Sequence, residues 1–269
     1  MNIINDIELD NLDENQLHIY FIGQSGYVLK LKNLIVYIDP YLSNFIQNPN
    51  GLNQVDMIRN YSPPINPSSI KKCNAIICTH SHVDHMDPWT INKIKTEFIL
   101  FASIGAISKS SVKISESKIK LLSPDNPLSI GDIKVHSFSA AHYELTDNLG
   151  QPDCLSLLIE WRGKSIFFWG DGITYQGQNE LLSKFKFDYF FAPINGRDKI
   201  REKMGIVGNI TEVELANIST RLKIKNIIPN HYDMFNNNTG SIKIFQKELK
   251  KINPNQSVII MKYGDKIEL

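Results

Sequence analysis

Cysteine is scarce in this chain: three in 269 residues, Cys73, Cys78 and Cys154, with no CxxC spacing. That excludes a disulfide-stapled scaffold and a thiolate metal cluster, and fits reduced, mostly buried thiols of a cytosolic protein. Long hydrophobic runs are also missing; none approaches the roughly 18 residues that span a bilayer. The first sixteen residues, MNIINDIELDNLDENQ, are polar and acidic and lack the apolar stretch of a secretory signal. A net charge of +1 gives no reason to expect nucleic acid or an anionic membrane as partner. Internal repeats and low-complexity linkers are absent. What remains is an ordinary globular profile, 42% hydrophobic, expected in the cytoplasm as a single domain over residues 1–269. A small-molecule substrate is the partner expected, with a homo-oligomer left open.

The apolar runs that do occur are short and rich in β-branched and aromatic residues, which reads as strands. They are LHIYFIG (17–23), YVLKLK (27–32), LIVYID (34–39), AIICT (75–79), EFILFA (97–102), IKVHSF (133–138), LSLLIEW (155–161), SIFFWG (165–170), DYFFAP (188–193), KNIIPN (225–230) and SVIIMKY (257–263). Asp87 before Pro88 is an N-cap with proline at the first helical position, so a helix starts there. Thr211 with Glu214 makes a capping box, and Leu215, Ile218 and Leu222 supply the apolar stripe of the helix that follows. Ile242, Phe245, Leu249 and Ile252 mark another near the end. The early chain runs strand on strand and the later chain alternates strand with helix, so the expected class is α/β, two mixed sheets with helices on the outer faces. Residues 47–70, with Pro49, Gly51, Pro63, Pro64 and Pro67, read as a long loop of the kind that forms lids, with one helical turn near 55–59.

Histidine is scarce too, seven in all, yet three fall within CTHSHVDHMD, Cys78 to Asp87. His80 and His82 lie two apart just past a strand, where side chains two apart share a side. Asp84 and His85 follow where the chain must turn into the Pro88 helix. Imidazole is the commonest metal ligand near neutral pH, so this spacing points to a metal site. Further ligands are expected at other strand ends: His142 after IKVHSF, Asp171 in the GDG turn after SIFFWG, and His231 after KNIIPN. His136 and His18 sit at ordinary strand positions. The donors are nitrogen and oxygen without thiolate, which suits two Zn2+ or Mn2+ ions and not copper(I) or iron–sulfur. Such ions make hydroxide available at neutral pH for attack on a carbonyl or phosphoryl centre. Asp84 would ligate and orient the nucleophile, and Asp171 would bridge.

His80, His82, Asp84, His85, His142, Asp171 and His231 together resemble the metallo-β-lactamase superfamily, over about Ile19 to Phe235. FIGQSGYVLK, IDPYLS, THSHVDHMDP, SAAHYE, WGDG, PINGRD and IPNHYDMF are similar to its L-ascorbate-6-phosphate lactonase-like branch. The resemblance implies an αββα sandwich and a metal-dependent hydrolase. It implies one ion held by His80, His82 and His142, the other by Asp84, His85 and His231, and Asp171 between them. The expected substrate is a lactone or related ester of a small phosphorylated or anionic metabolite. Candidate substrate contacts are Gln24 in the GQSG turn, Tyr143 and Tyr232 beside proposed ligands, and Asn195 and Arg197 in PINGRD, with the Arg197 fork suited to an anion. The alternative is a phosphodiesterase acting on RNA ends, a cyclic nucleotide or a phospholipid headgroup. For RNA the best basic patch, Lys243, Lys247, Lys250 and Lys251, reads as the solvated face of a helix. A flavodiiron-type redox centre would want HxExDH, and His82 stands where the glutamate would be. A binding protein that had lost turnover would be expected to have lost ligands as well.

Overall fold

The computed structural model describes residues 3–54, 56–124 and 126–269. In chain order the first elements are α1 (Ile3–Leu9), β1 (His18–Gly23), β2 (Gly26–Leu31), β3 (Leu34–Ile38), β4 (Ala75–Ile77), α2 (Pro88–Lys93), β5 (Ile99–Ala102), α3 (Ile104–Lys109) and β6 (Ile119–Leu121). Then come β7 (Leu128–Ile130), β8 (Ile133–Ser139), β9 (Leu155–Trp161), β10 (Lys164–Phe168), α4 (Gln178–Leu182), β11 (Lys186–Pro193), α5 (Lys199–Lys203), α6 (Glu212–Ile218), β12 (Lys223–Asn230), α7 (Ile242–Ile252), β13 (Ser257–Val258) and β14 (Lys266–Glu268). The chain forms two compact units, one running up to Leu122 and including Met261–Leu269, the other Ser123–Ile260. No helix among the described residues is long and apolar enough to cross a membrane.

The first unit holds a seven-stranded sheet in the order β14-β1-β2-β3-β4-β5-β6. It is antiparallel from β14 to β3 and parallel from β3 to β6. Strands β1 to β4 are buried on both faces, which is why their sequences read as continuous apolar runs rather than alternating ones. One face carries Tyr20, Val28, Tyr37, Ile76 and Leu100, and packs with Ile4 and Ile7 of α1, Ile91 of α2 and Ala106 of α3. The second unit holds another seven-stranded sheet, β13-β12-β11-β10-β9-β8-β7, antiparallel from β7 to β10 and parallel from β10 to β13. Its Leu158, Phe167, Phe190 and Ile227 pack with Leu182 of α4, Leu215 of α6 and Phe245 of α7. Two mixed sheets flanked by helices are therefore present, as the strand and helix pattern required.

The helix starts follow their sequence signals. Asp87 caps α2 by accepting from the Trp89 amide, and the Thr211–Glu214 capping box of α6 is complete in both directions. The long loop differs from expectation. Residues 56–59 carry no helix, Val55 lies outside the described residues, and the one helical turn is a 3-10 turn at Pro67–Ser69. Arg59 is 8% exposed and ties the loop down. Its guanidinium donates to the carbonyls of Tyr41 (3.1 Å), Ser43 (2.8 Å) and Tyr61 (3.2 Å), and lies 4.7 Å from the Tyr41 ring centre. Tyr61 in turn stacks on Tyr263 at 4.6 Å. A loop held by a buried arginine is packed structure, not an open flap. SVIIMKY pairs as a strand only at Ser257–Val258, because the chain crosses from one unit to the other at Met261 and turns again at Lys262–Asp265 before β14.

Candidate metal centre

In the first unit the ligand-type side chains come from the ends of two neighbouring parallel strands. β3 delivers Asp39 and β4 delivers Thr79 and the histidine loop. Asp39 is 1% exposed and sits in the left-handed region at φ 46°. One of its carboxylate oxygens accepts from the Thr79 amide at 2.7 Å. The other accepts from the Thr79 hydroxyl at 2.7 Å and faces Nδ1 of His85 at 2.8 Å. The Thr79 oxygen also faces Nδ1 of His80 at 3.1 Å. The Thr79 proton is committed to Asp39, so this contact makes His80 Nδ1 the donor, and Asp39 likewise makes His85 Nδ1 a donor. The tautomers assigned by this network place the lone pair on Nε2 of both rings. His85 and His80 are 0% and 1% exposed. Ligand atoms of His80 lie within 4.8 Å of those of His82 and of His85, and a carboxylate oxygen of Asp84 lies within 4.8 Å of His85.

Gln24 belongs to the same cluster. It occupies the GQSG turn between β1 and β2 at φ 59°, 1% exposed, and its side-chain amide donates to Asp84 at 2.9 Å. The turn needs glycine at Gly26: a Cβ there would meet the Asp39 carbonyl at 3.1 Å and Ile22 at 2.9 Å. The candidate substrate contact Gln24 is thus bonded to the proposed ligand Asp84.

The second unit gathers its ligand-type side chains from three distant strand ends. His142 lies three residues past β8, Asp171 three past β10, and His231 directly after β12. Asp171 is 4% exposed, with one oxygen 3.1 Å from Nε2 of His231 and the other 3.9 Å from Nε2 of His142. Its turn is pinned against the His142 segment, where the Ile173 amide donates to the Ala141 carbonyl at 2.7 Å. Gly172, at φ 152°, makes that approach possible: a Cβ would stand 2.8 Å from the same carbonyl. His231 is itself left-handed at φ 58° and 1% exposed. Among the described residues, four of the six non-glycine residues with positive φ, Gln24, Asp39, Tyr143 and His231, belong to these segments. Such conformations cost about 1 kcal/mol or more each and persist where surrounding contacts over-determine them.

The remaining candidates have partners the sequence did not reveal. The Arg197 fork closes on Glu214, two bonds of 2.7 Å, and also donates to the Asn209 carbonyl. This pairing holds the guanidinium pKa up; burial pushes Glu214 upward, but the Arg197 and Thr211 hydrogen bonds overcome it and hold its carboxyl below the usual range. Asn195 is 3% exposed, and both ends of its amide are bonded, to Asn238 at 2.7 Å and Asn209 at 3.0 Å. Tyr143, 40% exposed, donates to Glu202 at 2.9 Å. Tyr232 is half-buried against the helix side of the second sheet. Among the residues passed over, Asp39 carried a usable signal. It ends the run LIVYID, in the same strand-end position that nominates Asp171. Asn209 and Asn238 lie in loops with no local pattern to mark them.

A family model described as the beta-lactamase superfamily domain matches residues 35–232. The chain is 24% identical to a UPF0173 metal-dependent hydrolase of Myxococcus xanthus over 90% of its own length and 80% of that protein. Among solved structures it is similar to an isothiocyanate hydrolase from Delia radicum gut bacteria, with a TM-score of 0.72 at 15% identity over 93% of this chain and 98% of that one. It is also similar to the metallo-beta-lactamase fold protein YhfI of Bacillus subtilis, with a TM-score of 0.67 at 16% identity over 95% and 100% of the two chains. At such identities these structural likenesses are of fold.

Proposed function

This chain belongs to the beta-lactamase superfamily, and on that premise we propose that it is a metal-dependent hydrolase whose seven ligands, His80, His82, Asp84, His85, His142, Asp171 and His231, hold two divalent ions. One observation carries the reading. The Asp39–Thr79 pair engages Nδ1 of both His80 and His85, which leaves Nε2 as the basic nitrogen of each ring. Imidazoles fixed through one nitrogen by a carboxylate or its relay are the arrangement that tunes and orients metal ligands. The donor set, imidazole with carboxylate and no thiolate, fits Zn2+ or Mn2+. When bound, such ions supply Lewis acidity, acidifying water and polarising the electrophile.

The chain's own residues do the rest. Gln24 holds one oxygen of Asp84, so that carboxylate is presented in one orientation to accept a proton. Asp171, flanked by Nε2 of His142 and of His231, would hold an ion together with these imidazoles. As substrate we propose a lactone or related ester of a small anionic metabolite, supported by the motifs IDPYLS, WGDG and PINGRD. The Arg197 fork is already closed on Glu214, so an anion would have to displace Glu214 or meet another cation of the same segment, such as Lys199.

The test is a metal-replete protein assayed with a phosphorylated sugar lactone, an uncharged lactone of the same ring, a phosphodiester and an aryl isothiocyanate. Elemental analysis should find one to two equivalents of zinc or manganese, and chelation should abolish turnover. Protein that carries no transition metal after supplementation, or hydrolysis that survives chelation, would sink the metal-dependent reading. Turnover of the phosphodiester alone would move the substrate to the alternative class.

A further inference from the structure

Between the turn that carries Asp171 and the loop that carries His231 runs a line of three buried asparagine side chains. Gly172 donates its backbone N–H to Oδ1 of Asn209 at 2.7 Å. Asn209 donates from Nδ2 to Oδ1 of Asn195 at 3.0 Å. Asn195 donates from Nδ2 to Oδ1 of Asn238 at 2.7 Å. Asn209, Asn195 and Asn238 are 0%, 3% and 8% exposed. Amides can be flipped, so their direction must be fixed from outside. Here it is fixed at both ends by groups that only donate. The Gly172 N–H sets Asn209, and the Arg201 guanidinium, 3.4 Å from the Asn238 oxygen and 2.6 Å from the Asn195 carbonyl, sets the other end. All three amides therefore point one way, head to tail.

The two ends of this line are chemically informative. Gly172 directly follows Asp171. Asn238 lies in the loop that starts at His231 and closes on it, the Gly240 amide donating to the His231 carbonyl at 3.2 Å. The middle member, Asn195, stands at the end of β11, the strand that lies between β10 and β12 in the sheet. Further backbone ties reinforce the frame: Ile210 N–H to the Gly172 carbonyl at 2.9 Å, and Ile194 N–H to the Asn230 carbonyl at 3.2 Å. These amides are buried, and a buried amide left unpaired is costly.

We propose that Asn209, Asn195 and Asn238 are positioning residues: a neutral hydrogen-bond relay that sets the separation of Asp171 from His231, and through it the ion affinity of that pair. The part that concerns ion affinity rests on the metal-ligand reading above; the mechanical part does not. A relay of neutral amides orients the Asp171 carboxylate without placing a second negative charge beside it. Its function depends on polarity: an acceptor suffices at position 238, whereas position 209 must accept at one atom and donate at the other.

The experiment compares Asn238→Leu, Asn238→Asp and Asn209→Asp, with Ile227→Val as a control that loosens the same unit's core. Hydrogen exchange is read at the Gly172 amide in ion-free protein, and binding of Zn2+ and Mn2+ by competition with a chelator. Asn238→Leu should speed exchange at Gly172 at least tenfold, although the two residues are far apart in sequence, and weaken ion binding about tenfold. Asn238→Asp, which keeps the acceptor, should leave both within about twofold. Asn209→Asp, which sets oxygen against oxygen at Asn195, should resemble Asn238→Leu. The relay is overturned if Asn238→Leu leaves Gly172 exchange unchanged, if Asn238→Asp is as damaging as Asn238→Leu, or if exchange rises evenly over the unit as it does in Ile227→Val. Wild-type protein that binds no ion would overturn the proposed function, and the exchange data alone would then decide the relay.

Discussion

The two units follow one topological plan and hold their functional side chains by different means. Each sheet begins as an antiparallel meander and turns parallel at its fourth strand in space, β3 in one unit and β10 in the other. Each presents its ligand-type residues past the C-terminal ends of strands at or near that change. In the first unit a carboxylate does the holding: buried Asp39 takes three donors, and fixes Nδ1 of His85 directly and Nδ1 of His80 through the Thr79 hydroxyl. In the second unit neutral amides and tight backbone approaches do it. The difference follows from how the candidate ligands are spaced. Four candidates lie within Thr79–Asp87 in the first unit, so one carboxylate with its Thr79 partner reaches both His80 and His85. His142, Asp171 and His231 stand on three separate segments: a backbone bond ties the first two, and the line of asparagine side chains joins the second to the third.

This contrast can be broken by substitution. The largest effects are expected at the ligands, where His85→Ala and His231→Ala should each lower bound metal by one equivalent. Both should cut turnover by more than the roughly 10–100-fold typical of outer-shell changes. Full metal content in either variant would remove that residue from the ligand set. Next comes Asp39→Asn, expected to weaken ion binding by about 10–100-fold, because a neutral amide accepts less strongly from His85 and Thr79. Retention of wild-type affinity would show that the first unit does not depend on its carboxylate. Gln24→Leu should cost about tenfold in kcat with little change in KM, the scale of one hydrogen bond to a charged group. A rise in KM alone would instead return Gln24 to direct substrate contact.

The smallest effect is expected away from the ligands. Arg197 and Glu214 are about a third exposed, 30% and 29%, so a double-mutant cycle between Arg197→Ala and Glu214→Gln should give a coupling near 1 kcal/mol in stability. The sign with pH is fixed by the depressed Glu214 carboxyl. Its contribution is complete above the ordinary glutamate pKa of about 4.5 and is lost as pH falls through the lower folded value. Urea unfolding of Glu214→Gln should therefore show a flatter loss of stability on the acid side than the wild type. If Arg197→Ala leaves stability untouched but raises KM for a charged lactone only, the guanidinium binds substrate after all.

Much of this was legible in the residues themselves, for local reasons. Apolar runs of five to seven residues marked most of the long strands, since a strand buried on both faces is apolar along most of its length. Asp87-Pro88 and Thr211 with Glu214 fixed two helix starts, because a cap is satisfied within its own turn. The ligand candidates were legible because histidine is scarce and strand ends recur. The short strands β6 and β14 were not, since three residues with at most one of them buried carry no period of their own and pair only because a neighbouring strand is present. Arg197 illustrates the same limit at the site. Its planar fork is a sequence property, but its partner Glu214 lies seventeen residues away and meets it only when the PINGRD segment folds over the start of α6.

By itself, then, the sequence determined which side chains can ligate and which segments must be strands or capped helices, because those depend on side-chain chemistry and on contacts a few residues apart. Tertiary structure alone decided what orients the candidate ligands: that Asp39 stands behind His85, that Gln24 holds Asp84, and that three asparagines join Asp171's turn to His231's loop. Hydrogen bonds act over about 3 Å whatever the distance along the chain, and only folding brings donors and acceptors forty residues apart within that reach.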